Sequence, residues 1–183
     1  MNDMKSFFRF LLYRVMGWRA EVTVALPQKY IIALAPHTSN WDFLMGQLYS
    51  RAEGFRCGFM MKKDWFFWPL GPLFRRMGGI PVVRSRHTSL TDQVAEQARN
   101  SETFSLCITP EGTRKAVSEW KRGFYYIALK ADLPILLFGL DYEQKRIVCT
   151  KCIHPTGDAD AQMVEIKEYF RPFQGKHPEG FMI

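Results

Sequence analysis

Along the chain, short apolar runs are bounded by polar turns, and charged residues gather where several of those runs end. Tyr30-Ile31-Ile32-Ala33-Leu34 predicts a strand over 30–35, and helical spacing predicts a helix over 41–52. Further strands are expected near 56–61, at 78–84 and over 104–109. A helix over 89–100 opens at Ser89, with Asp92 three residues on as a weak capping box. Another, over 118–131, stops before Leu133-Pro134, because the residue preceding a proline is pushed away from helical angles. Two strands follow near 135–142 and 146–153, then a helix capped by Asp158 and ended by Pro172, leaving a tail over 173–183 that offers little to a core. Upstream, 3–18 reads as a basic aromatic helix, and Pro69 and Pro72 frame a loop rather than a long helix. Helices alternating with mainly apolar strands make an α/β domain, with a central, mixed but mostly parallel sheet flanked by helices.

At 183 residues, with no repeat and no Gly/Ser-rich or Pro-rich linker, the chain is expected to be one domain over 1–183. No apolar run reaches the roughly 20 residues needed to span a bilayer. Phe7-Phe8-Arg9-Phe10 and its neighbours therefore read as a peripheral, interfacial helix within 1–20, with a terminal helix packed on the domain as the equal alternative. The aromatic share of 15% adds a second lipid-facing patch, Trp65-Phe66-Phe67-Trp68 beside Lys62 and Lys63. A formal charge of +7 favours anionic partners: phosphates, acidic membranes, acidic carriers or nucleic acid. Nucleic acid is disfavoured because the basic residues are scattered and no recognisable binding motif organises them. Four cysteines without a secretory signal suggest reduced thiols and a cytoplasmic setting. Cys149, Cys152 and His154 would be three ligands at most, with the two thiols on opposite strand faces, so no metal is expected.

The best clue to chemistry is His37 and Asp42, five residues apart just after the first apolar strand. On a continuous helix such a pair diverges by about 140°. A strand ending at His37, with Thr38-Ser39-Asn40 as turn and helix N-cap, can instead fold Asp42 back to the imidazole in a first helical turn. A carboxylate that fixes the imidazole tautomer makes a general base. No Gly-x-Ser-x-Gly elbow and no activated cysteine is evident, so the hydroxyl it deprotonates belongs to a bound substrate. Arg84 and the loop Pro110-Glu111-Gly112-Thr113-Arg114 stand at two further strand exits that can converge on the same sheet edge.

Pro36-His37-Thr38-Ser39-Asn40-Trp41-Asp42, Gly79-Ile80-Pro81-Val82-Val83-Arg84, Pro110-Glu111-Gly112-Thr113-Arg114 and Leu133-Pro134-Ile135, in this order, resemble the four motifs of the glycerolipid acyltransferase family, which includes bacterial 1-acylglycerol-3-phosphate acyltransferases. The resemblance implies transfer of a fatty acyl group from a thioester, on coenzyme A or acyl carrier protein, to the hydroxyl of a lysophospholipid, without a covalent acyl-enzyme. It implies His37 as base and Asp42 as its orienting partner. Arg84 and Arg114 would hold the acceptor phosphate, Glu111 would help position its glycerol part, and Gly112 and Thr113 complete that substrate-binding loop. No cofactor beyond the acyl donor is implied. Oxyanion stabilisation is expected from backbone N–H groups or water near the His37 turn.

The leading expectation is a peripheral enzyme on the cytoplasmic face of the membrane that makes phosphatidic acid. Its contacts with lipid would be Phe7, Phe8, Phe10, Trp65, Phe66, Phe67 and Trp68. Pro36 and Val83 depart from the family's usual residues and leave the acceptor open. A lyso-ornithine lipid or a lipid A precursor is the alternative, and a noncatalytic basic membrane-binding module is the alternative of another class.

Overall fold

A computed structural model of the chain describes residues 2–83 and 89–183. Its first half runs α1 (Asn2–Arg9), a π-helical turn (Phe10–Val15), β1 (Arg19–Val22), β2 (Lys29–Ala35), α2 (Trp41–Glu53), β3 (Phe59–Lys62), α3 (Leu70–Arg76) and β4 (Gly79–Val82). The second half runs α4 (Leu90–Asn100), β5 (Phe104–Ile108), α5 (Gly123–Ala131), β6 (Ile135–Asp141), β7 (Arg146–Ile153) and α6 (Ala159–Phe170). The main sheet has the order β1-β7-β6-β2-β5. Strand β2 lies parallel to β5 and β6, β7 is parallel to β1, and β6 and β7 are antiparallel. Strands β3 and β4 form a parallel pair that joins the β5 edge through the Gly58–Leu106 bridge. The fold is thus the expected α/β domain with a mixed, mostly parallel sheet.

Period-two alternation in β2 sends Ile31, Ala33 and Ala35 into one core, with Val94, Phe124 and Ile166 from α4, α5 and α6. Tyr30, Ile32 and Leu34 enter the opposite core, with Met45 and Tyr49 of α2 and with Leu12 and Trp18. Both faces of the strand are apolar because both are covered by helices. Each fully buried Leu, Ile or Phe contributes roughly 1.5–3 kcal/mol, against about 0–1 kcal/mol for an exposed ion pair. The two apolar layers therefore dominate the energetics and fix where the β2 exit lies.

Several expectations change. Strand β1 was not expected: Arg19-Ala20-Glu21-Val22 is only four residues long and mostly exposed, an edge strand paired with β7. The N-terminal helix ends at Val15, and Gly17, at φ 72°, turns the chain toward β1. Residues 70–76 are helical despite Pro72, which sits in the first turn, where a missing N–H costs nothing. Helix α5 starts at Gly123, not 118. The preceding segment turns Trp120 inward onto Phe170 and Phe181, with Nε1 donating to the Met182 carbonyl at 3.3 Å. Ser89 makes no side-chain cap to the helix backbone, and Asp92 pairs with Lys130 as well as hydrogen-bonding the Ser89 side chain. Asp158 does cap α6, accepting from Ala161 N at 3.0 Å.

The tail is a structural element, contrary to the expectation. Phe173 is buried against Gly139, where a Cβ would stand 2.4 Å from its ring. Tyr142 N donates to the Gln174 carbonyl at 2.8 Å and His177 N to Thr38 Oγ1 at 3.1 Å. The last residues thus brace the β6 exit and the turn after β2. A second correction concerns Cys149 and Cys152. Leu137 and Gly139 of β6 face Lys151 and Val148 of β7, so β7 carries an extra residue there, and Cys152 returns to the face of Cys149. No group of three metal-ligating side chains occurs among the described residues.

Candidate active site

Strand β2 ends at Ala35, a cis peptide joins Ala35 to Pro36, and His37 follows at the C-terminal edge of the parallel strands. In α/β sheets that edge is where ligands bind. Three residues of turn bring Asp42, in the first turn of α2, back to it: His37 Nδ1 lies 3.0 Å from Asp42 Oδ2. An ionised carboxylate only accepts, so Nδ1 carries the proton and the Nε2 lone pair is left for a bound hydroxyl. The imidazole is partly exposed, at 21%, whereas the Asp42 side chain has no exposed surface. Asp42 is compensated by donors: Oδ2 also accepts from Thr38 N and Ser39 N, both at 2.9 Å, and Oδ1 accepts from the Tyr142 hydroxyl at 2.7 Å.

Two local expectations change here. Asn40 occupies the N-cap of α2 without capping it; Ser39 Oγ accepts from Trp41 N at 3.2 Å, and Asn40 Oδ1 accepts from Arg114. The backbone N–H groups of the turn were the expected oxyanion donors. Those of Thr38 and Ser39 are held by Asp42, and that of His37 is held by Glu111 Oε1 at 2.9 Å. These three N–H groups are therefore committed, and of the expected sources the other N–H groups of the turn and water near it are left for a developing oxyanion.

Glu111 is buried behind the turn and does not line the cavity. Among the described residues its Oε2 has no hydrogen-bond partner. Burial pushes its carboxyl up from 4.5 to about 7, opposed by the His37 backbone N–H and then by the His37 charge. A raised carboxyl binds its proton more tightly in the folded chain than in the unfolded one. Its contribution to stability is therefore complete below about pH 4.5 and is lost as the pH rises through about 7. The change across that window is on the order of 3 kcal/mol. Between pH 5 and 8 the wild-type denaturation midpoint should fall relative to that of Glu111→Gln, which keeps an oxygen for His37 N. Parallel pH curves for the two proteins would refute the assignment.

Gly112, at φ 66°, has the left-handed backbone the loop requires, and a Cβ there would come 3.1 Å from the Lys121 side chain. Arg114 is exposed and reaches across to Asn40, so the third motif and the His37 turn meet directly. Thr113 Oγ1 accepts from Lys115 N at 3.3 Å and stays out of the cavity lining. Arg84, with Arg86 and His87, lies outside the described residues.

A cavity of about 560 Å³ opens beside His37, with Leu34, Phe43, Gly46, Met60, Ile108 and Phe124 on its apolar walls. Thr109, Gly112 and Lys121 supply polar lining on the side of the third motif. Leu34, Gly46, Cys57 and Cys107 also line a narrower slot that continues inward to Tyr49, Phe138 and Leu140. A side chain at Gly46 would project into open space, with nothing within 4 Å. Sequence reasoning took Asn40 only as part of the turn and N-cap, and missed Gly46, Lys121 and Tyr142. None of these three stands in a spacing that signals function; the fold alone brings Gly46 and Lys121 to the cavity and Tyr142 to Asp42.

Of the residues expected to face lipid, Phe7, Phe10, Trp65, Phe67 and Trp68 are exposed, Trp68 at 84%. Phe8 packs on the α2-side core, and Phe66 turns onto Phe74, ring centroids 6.2 Å apart. The N-terminal helix is also tied to the domain, through Arg9 and Tyr13 to Glu53 at 2.7 and 2.6 Å. Among the described residues no helix is long and apolar enough to cross a membrane.

A family model described as Acyltransferase matches residues 19–139, a span that contains the His37 turn, the cavity walls and the Glu111 loop. No curated protein sequence matches the chain. Among solved structures, the crystal structure of the 1-acyl-sn-glycerophosphate (LPA) acyltransferase, PlsC, from Thermotoga maritima superposes with a TM-score of 0.61, covering 93% of this chain and 76% of that one at 16% identity. At that identity the likeness is one of fold.

Proposed function

The chain belongs to the acyltransferase family, and from that premise we propose that it transfers a fatty acyl group from a thioester to the free hydroxyl of a lysophospholipid, 1-acylglycerol-3-phosphate foremost. The observation that carries this reading is the His37–Asp42 hydrogen bond of 3.0 Å on the wall of an apolar cavity. His37 Nε2 takes the acceptor's hydroxyl proton as its oxygen attacks the thioester carbonyl carbon. The tetrahedral adduct then collapses, the C–S bond breaks, and the imidazolium returns the proton to the leaving thiolate. Asp42 stabilises the imidazolium, and no acyl-enzyme forms. The acyl chain occupies the apolar cavity and its inner slot. Arg114, with Arg84, takes the acceptor's phosphate, since a guanidinium stays charged and binds phosphate through paired donors. Glu111, which holds the His37 backbone, shapes the acceptor site from behind rather than by touching glycerol.

Purified protein assayed against a matrix of acyl-CoA and acyl carrier protein donors and lysolipid acceptors tests this reading. Turnover with no lysolipid would end it, and preference for a lyso-ornithine lipid or a lipid A precursor would move the acceptor while keeping the chemistry. Gly46→Phe adds a length test. The substitution sits mid-helix, where glycine is costly by itself, so the fold should survive it. Its ring would occupy the space where the two cavities meet, and at about 0.8 kcal/mol per displaced methylene the preferred donor should shorten by several carbons. An unchanged chain-length profile would remove the acyl chain from this slot. We further propose peripheral membrane contact through Phe7, Phe10, Trp65, Phe67 and Trp68, tested by co-sedimentation with anionic vesicles; no binding at low salt would exclude it.

A further inference from the structure

We infer that Tyr142 is a positioning residue for the His37–Asp42 pair, acting through its hydrogen bond to the second carboxylate oxygen of Asp42. This rests on the acyl-transfer reading above only for its kinetic test. Asp42 Oδ2 is saturated by His37 Nδ1, Thr38 N and Ser39 N, all from the same short turn. Oδ1 has one partner among the described residues, the Tyr142 hydroxyl at 2.7 Å, from a position 100 residues later in the chain. The turn alone would leave the carboxylate free to tilt about the Oδ2 contacts. The phenol supplies the contact that fixes its plane, and with it the direction of the Nδ1 bond.

Tyr142 is itself held in place. It follows β6 directly, its backbone N donates to the Gln174 carbonyl, and the Trp18 indole stands edge-on to its ring, centroids 5.1 Å apart. Burial, then the Asp42 hydrogen bond and charge, push the phenol above its ordinary range, so the hydroxyl keeps its proton and donates. Tyr142 does not line the cavity, so it has no route to substrate except through Asp42.

Tyr142→Phe keeps the ring and its packing on Trp18 and removes only the donor. In the full-length protein, with a long-chain acyl-CoA and 1-acylglycerol-3-phosphate, kcat should fall roughly tenfold, the effect of losing one charge-assisted hydrogen bond. Both KM values should stay within about twofold of wild type. In an Asp42→Asn background the same change should alter kcat less than about twofold, because the group it acts through is already lost. Imidazole ¹⁵N spectra of the substrate-free protein give a readout independent of turnover, with the His37 signals identified by their absence in His37→Ala. Tyr142→Phe should shift those signals toward a mixture of tautomers. Wild-type kcat in Tyr142→Phe, a full additional loss in the Asp42→Asn background, or unchanged imidazole spectra would each overturn the inference. A protein that acylates nothing would defeat the functional reading and leave the spectral test standing.

Discussion

His37→Ala is expected to lower turnover by about 10²–10⁴-fold, the range supplied by a positioned general base, with little loss of stability. The asymmetry follows from where the side chain sits. The imidazole is partly exposed, and among the described residues its one polar contact is to Asp42, whose Oδ2 keeps the Thr38 and Ser39 N–H groups when the ring is gone. The backbone N–H of residue 37 still reaches Glu111 Oε1, so the turn is held from both sides without the ring. Residual activity should come from substrate held beside the apolar wall, and KM for the acyl donor should change little because Leu34, Phe43 and Phe124 are untouched. Binding to anionic vesicles should also be unchanged. Turnover equal to wild type would assign the protein to the noncatalytic class, in which a basic aromatic surface rather than the imidazole is the working part.

Much of this site is legible in the chain because its parts are local. His37 and Asp42 are five residues apart, and the polar turn between them follows an apolar strand, so both the hydrogen bond and its place at a sheet edge follow from spacing. The Glu111 loop can be recognised by its residues, yet its depth cannot: whether a carboxylate touches substrate or backs a turn depends on how β5 and β2 sit beside each other. Tyr142 has no local signal at all, since it is an aromatic at a strand end, brought to Asp42 by the pairing of β6 with β2. The tail was misjudged because Phe173, Phe181 and Ile183 follow no helical or strand period. Their partners, Gly139 and Trp120 among them, are chosen by shape rather than by sequence pattern. In the same way a single extra residue in β7 reversed the expected facing of Cys152, a shift that period-two reasoning cannot foresee.

Asp42 should separate structure from catalysis when alanine and asparagine are compared. The carboxylate has no exposed surface and accepts from Thr38 N, Ser39 N, His37 Nδ1 and the Tyr142 hydroxyl. Asp42→Ala strands those donors at a position with no exposed surface. Each unsatisfied buried donor costs about 1–3 kcal/mol, and because neighbours relax together the total should be about 3–5 kcal/mol rather than the sum. In a domain whose net stability is roughly 5–15 kcal/mol that loss should lower the denaturation midpoint sharply, and activity should vanish with it. Asp42→Asn keeps one oxygen for the two backbone N–H groups, so the turn should survive and the midpoint should stay close to wild type. Its amide cannot accept from both His37 Nδ1 and the Tyr142 hydroxyl while also serving the turn, and it carries no charge to stabilise an imidazolium. Turnover should therefore fall by about 10²–10⁴-fold in a folded protein, the loss expected when a histidine base loses its tautomer and its counter-charge. Denaturation curves and kcat measured on both variants test the split. Wild-type turnover in Asp42→Asn would mean that the carboxylate only builds the turn, and a midpoint in Asp42→Ala equal to wild type would mean that the buried donors find other partners.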